Sequence, residues 1–189
     1  MDWNNKEDVL FAILKNGNSL QIASEKLKDD KEVVLSAVND WGWSLEFASD
    51  RLKDDPKIVI EACKNNSEAL KWASDKLKNN KNLVMEACKQ SGGALSYVSH
   101  ELRNNKEVVM EAMKNDGYFL IYASERLKND FEVVKTACNN FKYAFEFAGD
   151  KIKEQFPTVE SFLNSEKDVD KDNLWKEKVN NDKDNQWER

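Results

Sequence analysis

The stretch Leu27–Arg51 reads LKDDKEVVLSAVNDWGWSLEFASDR, and most of the chain copies it. Moved by 25 residues it recurs as 52–76, 77–101, 102–126 and 127–151. Residues 2–26 are a worn first copy, and 152–164 are the front half of a seventh. The register runs without an insertion. Self-similarity at this period signals stacked supersecondary units rather than a globular core.

Within a unit the fourth place holds Asn5, Asp30, Asp55, Asn80, Asn105 or Asp130. These are N-cap residue types, whose side-chain oxygen accepts from an orphan amide of the first turn. Pro56 directly after Asp55 fits the first helical position, and Glu7, Glu32, Glu107 and Glu132 suit the positive end of the dipole. A first helix follows, with a broad apolar stripe from Val33, Val34, Ala37 and Val38 that repeats as Ile58, Val59, Ala62 and Cys63. Gly17, Gly42, Gly92 and Gly117 are expected to end it in the left-handed conformation. Leu45, Ala48 and Leu52, at i, i+3 and i+7, predict a second helix, where the recurring Ala-Ser pair lets neighbours approach.

Helices of about ten residues are marginal alone, so each hairpin needs its neighbours. The expected fold is all-α: an α-solenoid of six two-helix repeats (2–26, 27–51, 52–76, 77–101, 102–126, 127–151) closed by a capping helix in 152–164. Residues 1–164 form this one domain. Asp2 and Asp8 replace apolar residues in the first unit, as a polar end-cap would. Residues 165–189 hold 14 charged side chains in 25 and read as a disordered tail or a short docking helix around Leu174, Trp175 and Val179.

Composition narrows the chemistry. No apolar run reaches 18 residues and the N-terminus MDWNNKED is not a signal peptide, so a cytoplasmic protein without a membrane span is expected. Cys63, Cys88 and Cys138 share one column with Ile13, Val38 and Met113, and read as buried hydrophobes. Their spacing matches no zinc pattern. His100 is the only histidine and stands in an otherwise acidic column, so no triad is in sight. The expectation is a non-enzymatic chain with no catalytic residue, metal or cofactor.

Two side-chain patterns remain as surfaces. Trp41, Trp43, Tyr118, Phe141 and Tyr143 fall in turn columns that elsewhere hold Asn16, Asn18, Asn66, Glu68, Ser91 and Gly93. A column that accepts asparagine is exposed, and interface hot spots are rich in Trp and Tyr. These five are the candidate partner-binding residues. The other pattern is a ladder of Lys28, Lys53, Lys78, Arg103, Lys128 and Lys153, at spacing suited to helix C-termini or, alternatively, to a phosphate backbone. The repeats carry 23 basic against 27 acidic residues up to Asn164, which speaks against nucleic acid.

The unit L-[KR]-[DN]-[DN]-x-E-V-V-x-x-A followed by L-x-[FWY]-A-S-[DE]-[KR], clearest in LKDDKEVVLSAV, LRNNKEVVMEAM and LIYASERLKND, resembles a tandem-repeat family known as a domain of unknown function, numbered four-one-one-six. The resemblance covers nearly all of 2–164 and departs at the end units, at Pro56-Lys57 and at Lys81-Asn82. It implies a helical repeat fold without catalytic residues. The functional expectation is a scaffold or adaptor for a protein partner, monomeric unless built into an assembly. The alternatives are a nucleic-acid-binding solenoid and a structural component of a larger assembly.

Overall fold

A computed structural model describes residues 1–165, so both readings of the tail fall outside the described residues. In chain order the α-helices are α1 Lys6–Ile13, α2 Glu25–Lys28, α3 Lys31–Asp40, α4 Asp50–Lys53, α5 Pro56–Asn65, α6 Asp75–Lys78, α7 Lys81–Gln90, α8 His100–Arg103, α9 Lys106–Asn115, α10 Glu125–Lys128, α11 Phe131–Asn140 and α12 Asp150–Gln155. Six-residue 3₁₀ helices follow the long ones, at Gly17–Ile22, Gly42–Phe47, Ser67–Trp72, Gly92–Tyr97, Gly117–Tyr122 and Lys142–Phe147. Each long helix packs on the next, and each 3₁₀ helix on the next, giving two layers and no strand among the described residues. The fold is an all-α solenoid.

The long helices start where the caps predict. Asp30 accepts from the amides of Glu32 and Val33, and Asn5, Asp55, Asn80, Asn105 and Asp130 cap their own helices in the same way. Val33, Val34, Ala37, Val38 and their counterparts are buried, so one apolar column continues from unit to unit. Cys63, Cys88 and Cys138 lie in that core.

The second arm differs from expectation: it is not one helix. Ala48 (φ −67°, ψ 155°) and Ser49 (φ −60°, ψ 157°) are extended, separating a 3₁₀ helix from a single α-turn. The Ser49 hydroxyl oxygen accepts from the Leu52 amide and so caps a new helix instead of continuing the old one. Ser74, Ser99 and Ser124 do the same. The serines are therefore caps, and they also join units. Ser49 N–H donates to the Lys28 carbonyl at 3.0 Å, and the bond recurs as Ser74 to Lys53, Ser99 to Lys78 and Ser124 to Arg103. The Ser74 hydroxyl adds a 2.6 Å bond to Asp54.

The glycines are a second correction. None has a positive φ, so none is a left-handed cap. Glycine stands there because two units meet. A Cβ on Gly117 would lie 2.1 Å from the Ala137 carbonyl oxygen, and one on Gly42 2.4 Å from that of Ala62. No side chain fits at that distance. The close approach lets the next helix seize the turn: Gly42 N–H donates to Asn65 Oδ1 at 2.7 Å, while Asn65 Nδ2 donates to the carbonyls of Asn39 and Asp40. Asn115 and Asn140 clamp Gly92 and Gly117 and the helix ends before them, and Asp40 accepts from Gly17 N–H.

A third set of links crosses the helix N-termini. Lys6 pairs with Asp30 and Glu32, Lys31 with Asp55, Lys81 with Glu107, and Lys106 with Asp130 and Glu132. At the last unit Phe131 replaces the lysine. Phe162, fully buried, stands 5.0 Å from its ring and 5.6 Å from that of Phe145, and the helix over 159–165 that carries it closes the array as expected. The first unit is not the polar cap expected: the Asp2 amide bonds Asp8, but Phe11, Leu14 and Ile22 are exposed.

Two outcomes follow from these links. Asn65→Ala leaves three backbone groups without their partner and is expected to cost about 2 kcal/mol in urea unfolding, whereas Gln90→Ala, in the same column but without a side-chain hydrogen bond among the described residues, stays within about 0.5 kcal/mol. Hydrogen bonding from Lys31 holds the Asp55 carboxyl below its ordinary range, with burial opposing it. A depressed folded-state value contributes stability above the unfolded value near 4, lost as pH falls through the folded one. Asp55→Asn keeps a cap but gives up this contribution, so unfolding free energy measured from pH 6 to pH 2 should fall less steeply than for the parent.

Candidate functional site

The five turn aromatics do not form one site. Trp41 is the extended residue between α3 and its 3₁₀ helix, and Trp43 is the second residue of that helix. Trp43 is half-buried, and Trp41 is exposed and lines a shallow open pocket with Lys15, Asn16, Asn18 and Asp40. Tyr118, Phe141 and Tyr143 stand three and four units further along, and here the structure does bring residues together. The Tyr118 ring is 6.3 Å from Phe141, and Phe141 is 5.6 Å from Tyr143.

Reading by column missed four members of this second group. Tyr118 packs edge-on to Phe119 and to Phe147, both at 5.4 Å, and Phe119 stacks on Tyr122 at 6.2 Å. Ile121 and Tyr122 are exposed with Tyr118, and Tyr143 is 72% exposed. The signal was present in GYFLIY (117–122), the most apolar of the 3₁₀ sequences. Phe119 occupies a column otherwise holding Ser19, Ser44, Ala69, Ala94 and Ala144. It fits because the preceding unit has Gly92-Gly93: a Cβ on either would come within 3.1 Å of the Phe119 ring. A small-to-large change in one unit is thus answered by a large-to-small change in its neighbour.

Beside Tyr143 lies an open cleft of about 480 Å³ between the last 3₁₀ helix and the capping segment, lined by Phe145, Glu146, Lys153, Pro157 and Val159 among others. Lys142 spans its edge to Glu160 at 2.5 Å. That bond holds the Glu160 carboxyl below its ordinary range and the Lys142 amine above its own. The result is an apolar patch on the outer side of the 3₁₀ layer, rimmed by charge and carried by helices tied to their neighbours.

The Lys/Arg ladder is placed differently. Lys28, Lys53, Lys78, Arg103, Lys128 and Lys153 are all half-buried. Lys28, Lys78 and Lys128 pair with Glu25, Asp75 and Glu125 one turn back, at 2.8, 3.7 and 2.9 Å. Arg103 donates to the Ser96 carbonyl and Lys153 to that of Glu146, each at 2.7 Å. These cations complement their own helix ends. His100 is exposed, and burial pushes the Cys63 and Cys88 thiols up to about 12, out of nucleophilic range. Among the described residues no group of acidic, histidine and cysteine side chains is arranged to hold a metal, and no helix is long and apolar enough to cross a membrane.

Comparison with known proteins places the repeat. The family model described as a domain of unknown function, DUF4116, matches residues 5–53, 30–78, 55–103 and 105–153. The chain belongs to this family. Each DUF4116 match begins at an N-cap column and spans two structural units, from the cap of one long helix past the next. Neither the curated proteins nor the solved structures gave a match.

Proposed function

We propose that this DUF4116 chain is a non-enzymatic, cytoplasmic scaffold that binds a protein partner through the aromatic face of its 3₁₀ layer. The observation that supports the reading is the exposure of Tyr118, Ile121, Tyr122 and Tyr143 together on a surface whose backbone is held on both sides. Hydrophobic rings fixed in place bind at low entropic cost, because little freedom is left to lose. A charged rim formed by Lys142, Glu146 and Glu160 would set orientation more than affinity. Five of the six ladder cations bond to their own chain, which makes nucleic acid the weaker reading, and the acidic total of the repeats adds to that.

The test uses the immobilised full chain and cell extract. Ile121→Ser combined with Tyr143→Ser should abolish capture of the specific partner, with a shift in Tm of less than about 2 °C, because both side chains lie at the surface. Capture that survives the double change rejects this face as the binding surface.

A further inference from the structure

Five junctions join the six long helices, and four are built alike. The junctions α1/α3, α3/α5, α7/α9 and α9/α11 each have the glycine amide held by a carboxylate or amide of the next unit. The same four have a lysine at the start of one long helix paired to an acid of the next. The α5/α7 junction has neither. Pro56 stands where the lysine would be. Ser67 stands where the glycine would be, and Gln90 replaces the asparagine without a side-chain hydrogen bond among the described residues.

The two losses reinforce each other. In the other junctions a Cβ at the glycine position would sit 2.1–2.8 Å from an alanine carbonyl oxygen, so Ser67 is admitted only if its unit stands back from Ala87. Between the helices Ile60, Cys63, Leu83, Ala87 and Gln90 line a narrow crevice too small to hold a water molecule. What survives is the far edge of the junction: the Ser74 amide on Lys53, and Ser74 and Lys76 on Asp54.

We propose that the α5/α7 junction is a hinge dividing the solenoid into two three-unit bodies, opening at the long-helix side about the Ser74–Asp54 edge. The consequence for recognition, which rests on the function proposed above, is that Trp41 and Trp43 ride on one body and Tyr118, Phe141 and Tyr143 on the other. Their separation then adapts to a partner while each set stays rigid.

The cysteines supply an internal control. Cys63 lines the α5/α7 crevice, and Cys88 holds the same column one junction on, where the clamp of Asn115 on Gly92 is intact. The two are equally buried, at 2% and 0% exposure. The full chain is treated in native buffer with 5,5′-dithiobis(2-nitrobenzoic acid), and labelling at each cysteine is followed by peptide mass spectrometry. Cys63 should react roughly ten times faster than Cys88, the ratio that loss of one or two net hydrogen bonds implies. Ser67→Gly with Gln90→Asn, which rebuilds the clamp, should bring Cys63 down to the rate of Cys88 and slow amide exchange over 62–72. Equal labelling in the unaltered chain overturns the hinge, whether or not the double variant folds. A rebuilt variant that folds and still labels faster at Cys63 overturns its assignment to these residues.

Discussion

The closest contact in this molecule is a backbone against a backbone. In four of the repeats the turn after the long helix comes so near to the alanine carbonyl of the next one that a methyl group does not fit. That approach explains the glycine in the turn and the alanine column Ala37, Ala62, Ala112 and Ala137, whose small side chains are fully buried. It also explains the asparagine, since a short amide accepts from a turn N–H through its oxygen and has two N–H donors for the helix-end carbonyls. Helix C-termini leave carbonyls unsatisfied. Here the neighbouring unit satisfies them, so closing a helix and stacking a repeat are the same event.

Stability is consequently distributed. No unit encloses a core of its own. The buried column from Val9 to Phe162 is continuous, and three kinds of polar link repeat beside it: clamp, serine ladder and lysine pair. In a linear array with only nearest-neighbour contacts, strength is a sum over junctions, and the junction with fewest links sets where the array yields. Function in such a chain lies in what successive units place on the outside. The aromatic patch of the fifth and sixth units exists because Gly92-Gly93 made room for Phe119, which in turn supports Tyr118 and Tyr122. A surface feature thus traces back to a backbone contact inside.

Much of this was legible without coordinates. N-caps at a fixed place and buried columns at helical spacing are local rules, and the long helices begin where Asp30, Asp55 and Asp130 put them. The break at Ser49 was locally encoded too, as a cap followed by Asp50, but the i, i+3, i+7 run of Leu45, Ala48 and Leu52 concealed it. A 3₁₀ helix and one α-turn happen to bury the same residues that a continuous helix would. The glycines misled for another reason: glycine permits both a left-handed turn and a close approach, and only the neighbour's position distinguishes them.

Sequence alone therefore determined the period, the starts of the long helices, the buried columns and the all-α class, because each depends on residues within a turn or two of one another. Tertiary structure alone decided which units touch closely, what Asn65 and its equivalents hold, that Tyr118, Phe141 and Tyr143 meet while Trp41 and Trp43 stand apart, and that Pro56, Ser67 and Gln90 fall at one junction. The bonds that Asn65 makes, for example, join residues 23 to 26 apart in the chain. Spacing along a polypeptide does not measure distance across the groove between two repeats.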